Sequence, residues 1–308
     1  MSQHEPAYST KLGSCYQGDS LEIMRGMPSG SVDLVFTSPP YALRRKKAYG
    51  NRIAPDYNAW FLPFADEIHR LLGPHGSFVF EVGPAWEQGK GTRSLFLYEL
   101  ILELCREGRF HLVQEVYWYN PSRLPTPAEY VTIKRTRLKD AVNVAWWLSK
   151  TTEVRADNRR VLRPYSQSML RLFREGVQVA RRPSEHQISR QFDRDNGGAI
   201  APNLLEIPNT TSRDPYLARC KQVGITPHPA RFPMALPDFF IRFLTEEGDV
   251  VLDPFAGSNV TGQAAEQQGR RWLGIEMVEE YVLGSQLRFP EAELGPGWPS
   301  RLPGSAAG

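Results

Sequence analysis

Residues 249–262 of this 308-residue chain, DVVLDPFAGSNVTG, decide the fold. The apolar run from Val250 to Leu252 predicts a buried strand, and a loop of small residues separates it from a helix that begins near Thr261. Gly257 permits a tight turn and a close approach of the backbone to a ligand. Ser258 or Asn259 can cap the helix, because the first N–H groups of a helix have no partner within it.

A second strand follows this helix and ends in an acid. Residues 271–276, RWLGIE, place Glu276 roughly twenty residues after the loop, where a doubly wound sheet holds the acid that accepts hydrogen bonds from ribose hydroxyls. Loop, spacing and acid together favour a ligand that contains adenosine. The alternative is an ordinary strand, turn and helix with a solvated glutamate.

A motif of a different kind lies near the other end of the chain. The apolar run 32–36, VDLVF, predicts a strand, and Ser38, Pro39, Pro40 and Tyr41 follow it. The prolines stop sheet pairing and carry no N–H, so several carbonyl oxygens can point one way with few competing donors. Acceptor oxygens beside a flat ring suit a planar amino group such as that of a nucleobase. A strand capped by a Pro-Pro turn with a packed tyrosine is the alternative.

Strands and helices alternate along most of the chain, which predicts an α/β fold with a doubly wound, mostly parallel sheet. We expect residues 1–150 and 227–292 to form a catalytic and cofactor-binding domain. The periodicity fades within 151–226, so we interpret this stretch as an inserted target-recognition region. Residues 293–308 are rich in Gly, Pro, Ser and Ala and are expected to be disordered.

Charge is unevenly distributed. The whole chain carries a net charge of +3, whereas residues 151–226 hold 13 basic and 8 acidic side chains, a net charge of +5. Arginine, which predominates there, forms bidentate bonds to phosphate and to guanine edges. A solvated surface with internal ion pairs is the alternative. The basic residues that we predict to contact DNA are Arg44, Arg45, Lys46, Lys47, Arg135, Arg137, Arg181 and Arg182.

Composition excludes several classes of protein. No stretch approaches the ~20 apolar residues that span a bilayer, and residues 1–10 lack an apolar signal core. Cys15, Cys105 and Cys220 are isolated and odd in number, so neither a disulfide framework nor a zinc site is expected, and no metal site is predicted. These features favour a reducing cytoplasm and no membrane partner.

Taken together, the two motifs resemble those of the DNA methyltransferases that modify amino groups. Ser38 to Tyr41 match the catalytic tetrapeptide of that family, and residues 253–257, DPFAG, match its S-adenosylmethionine loop. The catalytic motif precedes the loop, which is the permuted order of the beta class. The resemblance covers roughly residues 12–150 and 226–290, and the chain is similar in particular to the PvuII-type cytosine-N4 enzymes. Many relatives carry glycine where Asn259 stands, which affects the geometry of the loop.

The resemblance implies a Rossmann-like fold, S-adenosylmethionine as cofactor and a direct methyl transfer without a covalent enzyme intermediate. It assigns Ser38, Pro39, Pro40 and Tyr41 to the target base. It also implies that Asp19 meets the adenine amino group, that Glu276 binds the ribose, and that Asp253 with the loop surrounds the methionine end. The implied cofactor residues are Asp19, His228, Asp253, Pro254, Phe255, Ala256, Gly257, Ser258, Asn259, Glu276 and Met277. For Asp19 a capping role, and for Met277 packing in the core, are the alternatives.

Ser38 bears on the choice of base. Methylation at C5 of cytosine uses a cysteine next to proline in that family, and no cysteine here has a proline neighbour. Amino-adenine enzymes usually carry aspartate where Ser38 stands, so the resemblance favours N4 of a flipped-out cytosine in double-stranded DNA over N6 of adenine. The same chemistry on RNA, a dinucleotide-dependent oxidoreductase and a non-catalytic DNA-binding protein remain as alternatives. The resemblance further implies a restriction-modification role, with a cognate endonuclease as functional rather than physical partner, and permits a homodimer.

Overall fold

The computed structural model describes residues 4–41, 54–87, 89–175, 195–210, 214–296 and 298. Within these ranges the strands are β1 (Tyr8–Ser9), β2 (Gly13–Gln17), β3 (Val32–Thr37), β4 (Leu72–Glu81), β5 (His111–Tyr119), β6 (Val142–Ser149), β7 (Leu204–Glu206), β8 (Val250–Asp253), β9 (Arg271–Glu276) and β10 (Glu293–Leu294). The α-helices described are α1 (Ser20–Arg25), α2 (Ala54–Leu71), α3 (Phe96–Cys105), α4 (Gln167–Glu175), α5 (Pro215–Val223), α6 (Ala235–Leu244), α7 (Val260–Gln267) and α8 (Glu279–Gln286). Among these helices, none combines the length and the apolar character that crossing a bilayer requires.

All the described strands belong to one sheet, in the order β10-β1-β2-β9-β8-β3-β4-β6-β5-β7. The five central strands, β2, β9, β8, β3 and β4, are parallel to one another. Antiparallel pairs add β6 and β5 on one side and β1 and β10 on the other. The predicted α/β class with a mostly parallel sheet is therefore confirmed.

Helices cover both faces of the sheet, and β3 has apolar side chains that pack against the helices on each face. Val35 packs in the core on one face together with Phe61 of α2. Phe36 points to the opposite face, where its ring lies 5.4 Å from that of Phe240 in α6. Because β3 is buried on both faces, its apolar residues form a continuous run instead of alternating with polar ones.

The connections from β3 and β8 diverge. From β3 the chain passes through α2 to β4, which lies beside β3 on the side away from β8. From β8 it passes through α7 to β9, which lies beside β8 on the side away from β3. In an open α/β sheet, a ligand crevice forms outside the carboxyl ends of the strands at such a switch point. The ends of β3 and β8 are joined directly there, since Thr37 Oγ1 donates a 2.6 Å hydrogen bond to Asp253 Oδ1.

The chain divides into two compact units, residues 1–156 with 203–308 and residues 157–202. The smaller unit contains α4 and a β-bridge between Arg163 and Ala199. The predicted insert, 151–226, is wider than this unit. The difference arises because β7 pairs with β5 in the main sheet, and α5 also lies in the larger unit.

The prediction that residues 293–308 are disordered is wrong for the first of these residues. Glu293 and Leu294 form β10, and Gly295 N donates a 2.9 Å hydrogen bond to Ala7 O. The physical reason is that β1 has a second backbone edge beyond its pairing with β2, and the returning chain supplies donors and acceptors for it. Residues 299–308 lie outside the described part of the chain.

Candidate active site

A cavity of about 870 Å³ opens at the carboxyl ends of β2, β9, β8 and β3. Its lining brings together the residues of two motifs that lie more than two hundred positions apart in the sequence. The predicted residues that line it are Asp19, Ser38, Pro39, Pro40, Tyr41, His228, Pro254, Phe255, Ala256, Gly257, Ser258, Glu276 and Met277. Met277 is 59% exposed, so the alternative that it packs in the core is wrong.

Glu276 ends β9 at the edge of the cavity, and backbone amides hold its carboxylate. Oε2 accepts a 2.9 Å hydrogen bond from Gly257 N, and Oε1 accepts one of 2.9 Å from Val278 N. Burial raises the pKa of Glu276, whereas these amides lower it. The acid is thus oriented beside the loop after β8, where it can accept from hydroxyl groups.

Asp19 adopts the capping role that was the alternative to cofactor binding. Its Oδ1 accepts hydrogen bonds from Leu21 N at 2.8 Å and Glu22 N at 3.2 Å, so it caps α1. Asp19 also lines the cavity, hence the two roles are compatible. The neighbouring Ser20 Oγ donates to Pro254 O at 2.5 Å and ties the start of α1 to the loop.

Asp253 does not line the cavity, which corrects the expectation that it helps to surround the methionine end of a cofactor. It is 2% exposed, and it accepts hydrogen bonds from Thr37 Oγ1 at 2.6 Å, Thr261 Oγ1 at 2.7 Å and Phe255 N at 3.1 Å. Burial raises the pKa of Asp253 to about 6. The buried carboxylate at the end of β8 therefore links β3 and α7 to this strand by hydrogen bonds.

Asn259 is also directed inward, away from the lining of the cavity, and this corrects its predicted contact with the cofactor. Its backbone is left-handed, with φ +54°, a conformation that Asn tolerates better than most residues other than glycine. Its Oδ1 caps α7 by accepting from Gly262 N at 3.0 Å, and its Nδ2 donates to Tyr8 Oη at 3.0 Å. The glycine of many relatives fits the same left-handed position.

His228 packs against the turn of the loop. A Cβ placed on Gly257, whose φ is +52°, would lie 3.2 Å from the ring of His228, so this turn requires glycine. Burial lowers the pKa of His228 to about 4. In the neutral ring Nδ1 carries the proton and donates to Ala230 O at 2.8 Å.

Three aromatic rings form an apolar wall of the cavity. Phe255 lies 5.8 Å from Trp60 and 5.1 Å from Phe64, measured between ring centroids. Trp60 and Phe64 belong to α2, and the sequence motifs assigned them no role in the site. The helical pattern alone does not distinguish a ring that faces the core from one that reaches a cavity.

At the end of β3, the motif from Ser38 to Tyr41 is anchored by an acid that sequence analysis missed. Glu81 is 1% exposed; Ser38 Oγ donates to its Oε2 at 3.0 Å, and Tyr41 Oη lies 2.7 Å from Oε1 and 2.6 Å from Oε2. Burial raises the pKa of Glu81. The available signal was one carboxylate inside the apolar strand 77–82, SFVFEV. One flank of the Tyr41 ring lies against Gly83, where an added Cβ would come within 2.5 Å of it.

The cavity continues past this corner into a more polar half. Trp118, Asn120, Arg123, Asn143 and Asn209 line it. Arg123 Nη1 donates to Asn143 Oδ1, and a hydrogen bond from the Asn143 side chain lowers the pKa of Glu81. The polar half is thus connected to the Ser38 motif through Glu81.

The loop after β8 has a second anchor that no sequence pattern indicated. Arg288 is 4% exposed and donates through Nε to Ser258 O at 2.6 Å and through Nη2 to Asp214 Oδ2 at 2.9 Å. Its guanidinium also lies over the ring of Tyr216, 4.3 Å from the centroid. This buried cation holds the loop after β8 against α5.

The predicted DNA-contacting residues are only partly described. Arg44 to Lys47 and Arg181 with Arg182 lie outside the described residues. Arg135 is exposed, whereas Arg137 is 18% exposed and forms an ion pair of 3.4 Å with Asp140. Arg137 is therefore held by its own segment, and Arg135 remains available to a partner.

The comparisons with known proteins agree with this geometry. The family described as DNA methylase, of the N6 and N4 type, matches residues 32–286. Type II methyltransferase M.PvuII from Proteus hauseri is 48% identical over 288 residues, which cover 92% of this chain and 86% of the relative.

Two solved structures resemble the chain over most of its length. One is described as the PvuII DNA methyltransferase (cytosine-N4-specific), with a TM-score of 0.77, 43% identity and coverage of 94% of this chain and 90% of that one. The other, a DNA modification methylase of Thermus thermophilus complexed with S-adenosyl-L-methionine, has a TM-score of 0.55, 25% identity and coverage of 89% and 93%.

Proposed function

This chain belongs to the DNA methylase family, and from that premise we propose that it transfers a methyl group from S-adenosylmethionine to N4 of a cytosine in duplex DNA. One observation carries the proposal: the Ser38 motif and the loop after β8 line one cavity and are joined by the 2.6 Å bond from Thr37 to Asp253. The amine acceptors and the cofactor loop thereby face the same space.

The residues present fit the cofactor. Glu276 can accept from ribose hydroxyls, the rings of Trp60, Phe64 and Phe255 supply an apolar wall for adenine, and the turn at Gly257 leaves its backbone open to the cavity. When bound, S-adenosylmethionine supplies an activated methyl group on a sulfonium. The protein's task is therefore to prepare the accepting nitrogen.

An exocyclic amine is a poor nucleophile because its lone pair is delocalised into the ring. Acceptors placed for its pyramidal N–H groups stabilise the transition state more than the ground state. The Ser38 hydroxyl donates its own proton to Glu81, so the Ser38 oxygen is free to accept from the amine, together with the Pro39 carbonyl. The amine loses one proton as the new bond to carbon forms, and Glu81 can receive it through Ser38.

Cytosine N4 is favoured over adenine N6 on two grounds. Ser38 occupies the position where amino-adenine enzymes usually carry aspartate. A relative at 43% identity over 94% of this chain is described as cytosine-N4-specific. Tyr41, anchored through its hydroxyl to Glu81, is positioned to contact a base that has rotated out of the duplex.

The biological role that we propose is modification in a restriction-modification system of the cytoplasm. The relative M.PvuII is described as a type II methyltransferase. A cognate endonuclease would then be a functional partner, because it shares the DNA site without a need to bind the enzyme. We assign target recognition to residues 151–226 on their net charge of +5, and the enzyme can act as a monomer or a homodimer on DNA.

The test uses genomic DNA, labelled S-adenosylmethionine and the full chain. We expect N4-methylcytosine as the labelled nucleoside in mass spectrometry, and we expect Ser38→Ala to lower kcat about 10²–10³-fold without weakening cofactor binding. Labelled N6-methyladenine would show that the choice of base is wrong. Full activity of Ser38→Ala would show that the acceptor role is wrong.

A further inference from the structure

We propose that Arg123 selects cytosine by donating two hydrogen bonds to N3 and O2 of the flipped base. This inference rests on the proposed function, because it assigns the residue that recognises the base on which that reaction acts. Arg123 follows β5 in the stretch 118–127, WYNPSRLPTP, of which the proposed mechanism uses no residue.

The backbone of Arg123 is held in place. Its N donates to Asn120 O at 3.2 Å, and its carbonyl accepts from Lys139 Nζ at 3.3 Å. Asn120 is itself fixed, since its Oδ1 accepts from Ser122 N and Asn209 N, each at 3.1 Å. The turn therefore presents Arg123 to the cavity from a defined position.

The guanidinium belongs to the same network as the catalytic motif. Nη1 donates to Asn143 Oδ1, and Asn143 is 7% exposed and hydrogen bonds to Glu81. Glu81 in turn accepts from Ser38 at 3.0 Å. Ser38 and Arg123 are thus linked through Glu81 and Asn143, and both line the same cavity.

Two donors of Arg123 remain available for such a base. Among the described residues, neither Nε nor Nη2 of Arg123 has a hydrogen-bond partner, and neither atom is sealed from solvent. These two N–H groups lie side by side and parallel, which suits a pair of adjacent acceptors in one plane.

Cytosine presents that pair. Its N3 and O2 are neighbouring acceptors on the edge that also carries the N4 amine. Adenine offers N1 beside its amine and a C–H where cytosine has O2, so one donor of Arg123 would be desolvated without a partner. A site built to hydrogen bond both acceptors rejects a base that lacks one of them.

The bonds to N3 and O2 also predict which kinetic constant depends on Arg123. In the ground state the amine donates electron density to N3 and O2, which makes both better acceptors. Pyramidalisation of N4 withdraws that density, so the bonds from Arg123 are no stronger in the transition state. Arg123 should therefore contribute to binding of the base and leave kcat nearly unchanged.

The experiment pairs a protein variant with a base analogue. The substrates are duplexes containing the site identified for the wild-type enzyme, with cytosine or 3-deazacytosine at the target; the analogue keeps the amine and O2 but lacks N3. We expect Arg123→Gln to raise KM for the cytosine duplex about 10–100-fold. The analogue should raise KM for the wild type but not for Arg123→Gln, because the variant has no bond to N3 left to lose.

Two further variants make the result specific. Arg123→Lys keeps the charge without the fork, so it should retain binding to non-target duplexes and lose most of the discrimination against 3-deazacytosine. Arg106→Gln removes an arginine whose side chain is 65% exposed and paired with Glu103, and should resemble the wild type. Affinity for S-adenosylmethionine, measured by calorimetry, should be the same in all four proteins and reports that each is folded.

Three results would overturn the inference. An equal penalty for 3-deazacytosine in the wild type and Arg123→Gln would show that Arg123 does not contact N3. A loss of kcat at unchanged KM would show that it acts on Glu81, and equal weakening on duplexes without the target would show a phosphate contact. A wild-type enzyme that methylates no cytosine would instead refute the proposed function.

Discussion

At the residue scale, Glu81 shows how the site controls a hydroxyl. A carboxylate that is 1% exposed is tolerated only when its oxygens are hydrogen bonded, and Ser38, Tyr41 and Asn143 supply those bonds. The direction of the Ser38 bond matters for catalysis, because a hydroxyl that donates to Glu81 presents its lone pairs to the amine. Glu81 thus sets the orientation of the group that we assign to catalysis.

The substitution Glu81→Gln should distinguish the role of Glu81 in orienting the Ser38 hydroxyl from a role in packing alone. Glutamine preserves the shape but offers an amide donor in place of one oxygen, so it can neither satisfy both hydroxyls nor receive a proton. We expect kcat to fall about 10²–10⁴-fold while affinity for S-adenosylmethionine is unchanged. Glu99→Gln, at an exposed position on α3, is the matched control. An unchanged kcat in Glu81→Gln would contradict the proposed path.

The pH profile tests the same residue. Burial raises the pKa of Glu81, so the carboxylate is lost at a higher pH than for a free glutamate. We expect kcat of the wild type to decrease as the pH falls through the raised pKa of Glu81. The residual kcat of Glu81→Gln should be independent of pH over the same range. An equally steep profile in the variant would assign the titration to another group.

Substitutions at Asn259 test two contributions to stability: the left-handed backbone and the side-chain cap of α7. Its left-handed φ of +54° suits glycine, whereas its side chain caps α7 and donates to Tyr8. We expect Asn259→Gly to lower the free energy of unfolding by about 1–3 kcal/mol, and Asn259→Ala to lower it by about 1 kcal/mol more. Urea denaturation of the full chain measures both. An alanine variant as stable as the glycine variant would contradict the importance of the left-handed backbone.

At the element scale, the site depends on how β3 and β8 are joined. Their ladder is short, with Leu34 opposite Val251 and Val35 opposite Leu252. Beyond it, Asp253 binds Thr37 at the end of β3 and Thr261 on α7. One carboxylate therefore aligns the amine-accepting corner with the cofactor loop, and its protonation couples that alignment to pH.

Asp253→Asn should remove a pH dependence of stability. Burial raises the pKa of Asp253 to about 6, above the value of about 3.9 in an unfolded chain. The folded state then binds more protons between these values, so the contribution of Asp253 to stability decreases as pH rises from about 4 to about 6. We expect the wild type to lose about 1 kcal/mol relative to Asp253→Asn between pH 5 and pH 7. Parallel stability curves would contradict the raised pKa.

At the scale of the whole molecule, positive charge is concentrated in one stretch of the chain. The region 151–226 carries a net charge of +5 within a chain of net charge +3. In the smaller unit, part of this charge is paired, as in Arg159 with Asp157 and Arg171 with Glu175. Both arginines are nevertheless largely exposed, at 82% and 69% of their side chains, so they can exchange these partners for phosphates.

The salt dependence of DNA binding tests this assignment. In a variant with Arg159, Arg171 and Arg174 changed to Gln, we expect the slope of log K against log salt to become shallower by about 0.9 for each phosphate that the variant no longer neutralises. Binding of S-adenosylmethionine should be unaffected.

A variant with Arg25, Arg106 and Arg242 changed to Gln controls for net charge. These arginines lie at or just beyond the ends of α1, α3 and α6, helices that run away from the edge of the sheet where the cavity opens. An equal change of slope in both triple variants would place the effect in total charge and not in the region 151–226.

Local patterns were enough to predict much of this molecule. The apolar runs before Ser38 and Asp253, the turn at Gly257 and the acid at Glu276 each follow from a few neighbouring residues. Their meeting at one cavity follows from the alternation of strands and helices, since parallel strands bring their carboxyl ends to the same edge. The capping role of Asn259 was predictable for the same local reason.

Other decisions depended on residues far apart in the chain. Asp253 matched a cofactor motif, yet its carboxylate faces Thr37 and Thr261; β10 formed because β1 offered an open edge. Arg123 and Arg288 carried no local signal of their roles, and the signal for Glu81 was only its place as one carboxylate inside an apolar strand. The sequence by itself determined the strands, the loops and the class of chemistry, because these depend on spacing along the chain. Only the tertiary structure decided which buried charges meet which hydroxyls and amides, because hydrogen bonds and desolvation depend on distances in space.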